Sequence, residues 1–160
     1  MPTTIIQKIY RLLFICLLII LALLAWIYFS ADNYLRVIFF DVGQGDSALI
    51  ITSQEQNVLI DGGPTNQLVY QLDKYLPFYN RRIDLMILTH PEKDHLEGLI
   101  EVVKRYPVKN VLLTGVQRQK FLSDYQIWLT LIDQKKIPFY FPYQIKLIDL
   151  DKTTINVFYP

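Results

Sequence analysis

Residues 12–31 read LLFICLLIILALLAWIYFSA, twenty positions without one charged side chain. An α-helix of that length covers the roughly 30 Å of hydrocarbon in a bilayer. Lys8 and Arg11 precede the run and Asp32 follows it. The positive-inside bias then places the N-terminus in the cytoplasm and the rest of the chain outside, at a cell membrane crossed once. Trp26 and Tyr28 stand near the far end, where amphipathic rings favour the interface. A cleaved signal peptide is the rival reading. It has an apolar core of about 7–15 residues and a small-x-small cleavage site. Here the core is longer, and cleavage near Ser30 or Ala31 would put Tyr28 or Phe29 at the −3 place. An uncleaved anchor over residues 1–31 is therefore expected. Cys16, the one cysteine, lies inside the run without small residues before it. It fits a small apolar side chain, not a lipoprotein site or a disulfide.

The anchor explains the positive mean hydropathy of +0.23. With 52% hydrophobic and 19% charged residues the chain is not a disordered one. Of its 16 Lys+Arg and 15 Asp+Glu, only Lys8 and Arg11 fall before residue 32, so residues 32–160 are near neutral. Bulk charge argues against a polybasic nucleic-acid binder. The outer part is long enough to bury a small core.

Three short β-rich runs come first, at residues 35–42, 48–52 and 57–60, joined by GQGD and by a polar turn. They suggest an antiparallel meander. Apolar spacing predicts helices over residues 66–75, 96–106 and 120–135, the last aligning Phe121, Tyr125, Trp128, Leu129 and Ile132. Strands are expected at 83–89 and 109–114, and shorter ones at 138–141, 144–148 and 153–158. A sheet flanked by helices, an α/β (α+β layered) class, is the natural arrangement.

Both histidines of the chain fall in His90-Pro91-Glu92-Lys93-Asp94-His95, between a buried-type strand and a helix. Strand carboxyl ends are where α/β sheets usually bind ligands. Two imidazoles and two carboxylates suit Zn, Mn or Fe. A loop carries them, because neither helix nor strand converges all four. His90 and Glu92 can point one way while Asp94 and His95 turn toward a second centre, as in two-metal hydrolytic sites. The plainer alternative is a solvated turn in which Asp94 caps the following helix. No nucleotide-binding glycine loop appears, and no Ser/His/Asp set, since both histidines sit in one loop.

Three stretches occur in order: FFDVGQGDSALI (39–50), NVLIDGGP (57–64) and LMILTHPEKDHLEGL (85–99). In them the chain resembles the metallo-beta-lactamase fold superfamily, whose signature is His-x-His-x-Asp-His. In detail it resembles the ComEC-like branch, the C-terminal domain of a competence DNA-uptake channel, where an acid replaces the second histidine, as Glu92 does here. The resemblance implies the first half of an αββα sandwich over residues 32–160. It assigns His90 and Glu92 to one metal centre and Asp94 and His95 to another, with Asp94, the catalytic residue, also orienting the bridging water or hydroxide. It gives Asp61 a supporting role, hydrogen bonding that orients the metal loop; an ordinary Asx-type turn is compatible with that. It puts Asp41, Gln44 and Asp46 at the active-site rim, where a simple hairpin turn is an equal reading. Gly98 matches the glycine after the metal loop, but Glu97 departs from the small residue usual before it.

Further ligands of the resembled family, from a Thr-Gly-Asp strand end and a His-His-Gly-Ser, are absent from residues 1–160. The expectation is thus a fragment: an anchor and half of a hydrolase domain. Its open sheet surface would want a continuation, a partner chain or self-association. The aromatics Phe139, Tyr140, Phe141, Tyr143, Phe158 and Tyr159 suit such a surface, although strand core is their simpler reading. Three functions compete: a membrane-anchored metallohydrolase (Zn, or Mn) cutting a phosphodiester of nucleic acid or another ester, a non-catalytic membrane module, and a half-enzyme completed by a partner chain. Arg81-Arg82, Lys104-Arg105 and Lys135-Lys136 are basic pairs of the kind usually found on a solvated face.

Overall fold

The computed structural model describes residues 4–30, 34–113 and 122–158. Two compact units are present, Met1–Asn33 and Tyr34–Pro160. The first is helix α1, Ile5–Ser30. Its segment Ile5–Ile27 is long and apolar enough to cross a membrane, and none of it is buried in protein. The helix begins well before residue 12 and takes in Lys8 and Arg11, because nothing in residues 5–11 breaks a helix. The side chain of Tyr28 and residue Ala31 lie outside the described residues.

The second unit is built on a six-stranded sheet with strands in chain order: β1 (Arg36–Phe39), β2 (Ala48–Ile51), β3 (Asn57–Ile60), β4 (Leu85–Leu88), β5 (Val111–Leu113) and β6 (Phe139–Tyr140). The first three form the expected meander, with Val37 opposite Ile50 and Ile50 opposite Val58. From β3 onward every pairing is parallel. Helices α2 (Gln67–Tyr75), α3 (Lys93–Arg105) and α4 (Leu122–Gln134) form the crossovers. Successive right-handed crossovers in one direction put all three helices on one face of the sheet.

Alternation along the strands separates two cores. Leu49, Leu59, Met86, Val111 and Leu113 face the helices, meeting Leu68, Leu72, Leu96, Leu99, Val103 and Trp128. Val58, Leu85 and Leu112 face the other way and pack on Leu150 and Ile148. Those last belong to a hairpin, β7 (Leu147–Leu150) and β8 (Thr153–Asn156). The second face of the sheet is thus partly covered rather than bare. Burial of each such Leu or Ile contributes about 1.5–3 kcal/mol.

Several boundaries differ from expectation. Strand β1 stops at Phe39 because the chain turns at Asp41–Gly45. Ile83 makes only an isolated bridge to Val108. Strand β7 starts at Leu147, since Phe141 to Ile145 form a turn in which the Gln144 side chain accepts the Phe141 N–H at 3.0 Å. The tail aromatics are largely not core: Phe139, Tyr140, Tyr143 and Phe158 are exposed, and Phe141 alone packs against the helix-side core. Thr114, Phe121 and Tyr159 lie outside the described residues.

Candidate metal centre

Strands β1, β3, β4, β5 and β6 all run the same way, so their carboxyl ends share one end of the sheet. Asp61 follows β3 there and His90 follows β4. The chain from Thr89 to Glu92 is loop, with Glu92 in extended conformation as the residue before α3. Helix α3 begins at Lys93, so Asp94 and His95 sit in its first turn rather than in a loop. Asp94 does not cap the helix; it is a first-turn acid, which favours the helix dipole.

Asp61 is 2% exposed and occupies the left-handed region at φ 54°. Aspartate tolerates that backbone better than most residues, at some cost in strain. Its N–H donates to the Ile87 carbonyl and its carbonyl accepts from Ser47 Oγ, both at 2.9 Å. Its carboxylate accepts the Thr89 N–H at 2.8 Å, the Thr89 hydroxyl at 2.5 Å and His95 Nδ1 at 2.9 Å.

These contacts fix both histidine tautomers. An ionised carboxylate only accepts, so His95 Nδ1 carries the hydrogen that meets Asp61. The single Thr89 hydroxyl hydrogen is already given to Asp61. Toward His90 Nδ1, 3.0 Å away, the Thr89 oxygen must therefore accept. Both Nδ1 atoms are protonated and both Nε2 lone pairs are left for a ligand. The two rings lie with centroids 3.7 Å apart. Ligand atoms of His90, Asp94 and His95 all fall within 4.8 Å of one another, close enough to hold one cation. Glu92 is outside that trio, although its Oε2 is 3.9 Å from His90 Nε2. The structure brings His90, Asp94 and His95 together, with Glu92 beside His90.

Glycines lock the surroundings. A Cβ on Gly98 would strike the Gly62 carbonyl oxygen, and one on Gly45 would strike the Asp94 carbonyl oxygen. Gly62 N–H donates to the His95 carbonyl at 2.7 Å and Gly98 N–H to the Gly63 carbonyl at 3.0 Å. Glu97 pairs with Lys93 at 3.3 Å and leaves this contact undisturbed. Asp41, Gln44 and Asp46 are exposed in the turn that Gly45 seats against Asp94. The Asp41 carboxylate accepts the Gly43 N–H at 3.3 Å and the Asp46 carbonyl accepts the Gly63 N–H at 3.2 Å. This turn is both a hairpin connection and a neighbour of the site; its side chains make no recorded contact with the histidines among the described residues.

Thr89 was the residue that sequence reading missed. Its one signal was a hydroxyl directly before His90 at the end of a buried strand. The basic pairs sit toward the other end of the sheet and largely meet the protein's own groups. Arg81 binds Asp73 at 3.3 Å, Arg82 binds Asp84 at 3.0 Å and Lys135 donates to the Val103 carbonyl at 2.5 Å. Lys104 and Arg105 both bind Glu101, whose carboxyl is held below its usual range chiefly by the Lys104 hydrogen bond.

No curated protein matches the sequence. The family model for the metallo-beta-lactamase superfamily matches residues 40–156, from the end of β1 through the last residue of β8. That superfamily usually binds divalent metals, and the matched span contains every residue of the His/Asp/His cluster and of the Asp61 turn. By the match across most of its length, the chain belongs to the metallo-beta-lactamase superfamily.

Proposed function

We propose that the chain is a membrane-anchored, metal-dependent hydrolase. The observation that carries this reading is the pair of Nε2 lone pairs that the Asp61–Thr89 network leaves open, in a cluster with Asp94 whose ligand atoms lie within 4.8 Å of one another. The donor set fits a divalent cation: two imidazoles and a carboxylate, with the carboxylate–histidine contact that commonly orients metal-binding rings. His90, Asp94 and His95 would hold the ion, with Glu92 next to His90. Bound there, a divalent ion supplies Lewis-acid activation of water for attack on an ester or phosphodiester. Zn suits imidazole-rich sites, with Mn the alternative.

Within the chain, Asp61 keeps His95 in one orientation and one tautomer. Thr89 does the same for His90 by passing its hydroxyl hydrogen to Asp61. Asp94, half-exposed at the mouth, would orient an attacking water and accept its proton. A phosphodiester substrate, such as nucleic acid, is favoured by the likeness of residues 39–50, 57–64 and 85–99 to the ComEC-like branch. The single apolar helix supports anchoring, with the N-terminus cytoplasmic and the domain on the outer side. A second reading is supported by the ligand count. Two-metal hydrolysis takes more ligands than His90, Glu92, Asp94 and His95, so a half-enzyme would draw the others from a partner chain.

The test is hydrolysis of bis(p-nitrophenyl) phosphate and of single-stranded DNA by the full chain in detergent with added Zn or Mn. Metal-dependent turnover lost in Asp94→Ala supports the hydrolase. Metal binding without turnover supports the incomplete-site reading instead.

A further inference from the structure

We propose that the end of the domain opposite the histidine cluster lies on an anionic phospholipid surface, with Phe78 and Tyr79 in the headgroup region. This rests on the anchor reading of α1, and it adds which face meets the bilayer.

The loop between α2 and β4 exposes Phe78 by 85% and Tyr79 by 67%, with ring centroids 5.4 Å apart, edge to face. Their exposure is built in rather than incidental. Asn80 N–H closes a turn onto the Pro77 carbonyl at 2.9 Å, and its side chain donates to the Glu55 carbonyl at 2.7 Å. Asn57 in turn donates to the Arg82 carbonyl at 2.9 Å. The turn is thereby pinned to the β2–β3 connection, with both rings outside. Aromatic rings held in water in this way match the interfacial belt of membrane proteins.

The strand directions place this loop. It precedes β4, so it lies at the amino ends of β1, β3, β4, β5 and β6. Arg36 opens β1 at that same end, and Tyr34 and Leu35 just before it are exposed. The chain enters the sheet at Arg36, at the end that carries Phe78 and Tyr79.

Charge agrees. Lys74 ends α2 beside the loop and Lys136 precedes β6 at the same end. Arg36, Lys74 and Lys136 are exposed and have no carboxylate partner among the described residues; with the paired Arg81, Arg82, Lys104, Arg105 and Lys109 they outweigh the acids of this end, of which Glu55, Asp73 and Asp133 are exposed. Among the described residues the histidine end carries Asp41, Asp46, Glu92 and Asp94, and its one exposed cation, Lys93, is paired with Glu97. A basic, aromatic base and an acidic, metal-binding mouth suit a domain that sits on anionic headgroups and opens away from them.

The test uses the full chain with Cys16→Ser, in nanodiscs containing anionic phosphatidylglycerol. An environment-sensitive fluorophore is attached at Phe78→Cys or, as control at the histidine end, at the exposed Asn66→Cys. Headgroup-level nitroxide lipids are expected to quench position 78 several-fold more than position 66, and less so in pure phosphatidylcholine. Equal quenching at both positions, or stronger quenching at 66, overturns the proposal while leaving the anchor intact. Quenching at 78 that ignores lipid charge overturns the headgroup recognition. A chain that does not float with vesicles contradicts the anchor reading, and the docking face falls with it.

Discussion

Asp61 is where the site is decided. One buried carboxylate takes three hydrogen bonds, and through them it sets the ring of His95 directly and that of His90 by way of Thr89. Asp61→Asn keeps the size but turns an acceptor into a donor that faces other donors. Loss of such a supporting contact typically weakens metal binding 10–100-fold. A calorimetric titration of the variant with Zn should show a drop in that range. Thr89→Val removes only the relay to His90 and should lose less. Parent-like affinity in Asp61→Asn would show that the histidines are held by something else. The HPEKDH residues were legible because two imidazoles and two acids coincide in a short run. Thr89 was not, because a threonine at a strand end is unremarkable until its hydroxyl is seen between a carboxylate and a ring.

Helix α3 brings Asp94 and His95 to the site, and its seat is the Gly98–Gly62 contact. Gly98→Ala drives a Cβ into a backbone carbonyl oxygen that cannot move aside. The expected cost is about 3 kcal/mol, the upper part of the range for overpacking. Gly43→Ala is the contrast. Its φ of 80° is strained but the space around it is open, so about 1–2 kcal/mol is expected. Thermal unfolding of both variants ranks them. The same helix ends at Tyr106, whose hydroxyl donates to Asp73 Oδ1 of α2 at 2.8 Å. Burial first, and then Asp73, push this phenol up to about 12. The folded state thus favours the neutral phenol, since an unfolded tyrosine ionises near pH ~10. Its stabilisation is complete below pH ~10 and fades as pH rises toward 12. Tyr106→Phe should lower stability by about 1 kcal/mol at pH ~8 and flatten the alkaline loss. Alkaline denaturation curves of the two proteins check this. Helix positions such as Leu68, Leu72, Leu99 and Val103 were legible from spacing. The start of α3 was not, because Glu-Lys-Asp is as polar as a loop and only Pro91 and extended Glu92 mark the true boundary.

On the scale of the molecule, the sheet has two faces and they are unequally covered. Three helices cover one; a two-stranded hairpin covers part of the other. Strand β1 lies beyond the hairpin's reach, with Phe39 exposed by 82%. Phe39→Ser should therefore change stability by no more than about 0.5 kcal/mol, as for other surface positions. Urea unfolding decides, and a loss of several kcal/mol would mean that something packs there. The layered α/β class, the meander and the helix–strand alternation followed from hydrophobic period. The exposure of Phe139, Tyr140 and Tyr143 did not, because an aromatic in a short strand looks the same in sequence whether or not anything covers it.

His90, Asp94 and His95 would together hold one divalent ion. Metal content of the full chain in detergent, after dialysis against Zn, is read by mass spectrometry. One ion per chain is expected, lost in the His90→Ala and His95→Ala variants. A parent chain without stoichiometric metal, or a doubly substituted chain that keeps it, would show that these residues hold no ion.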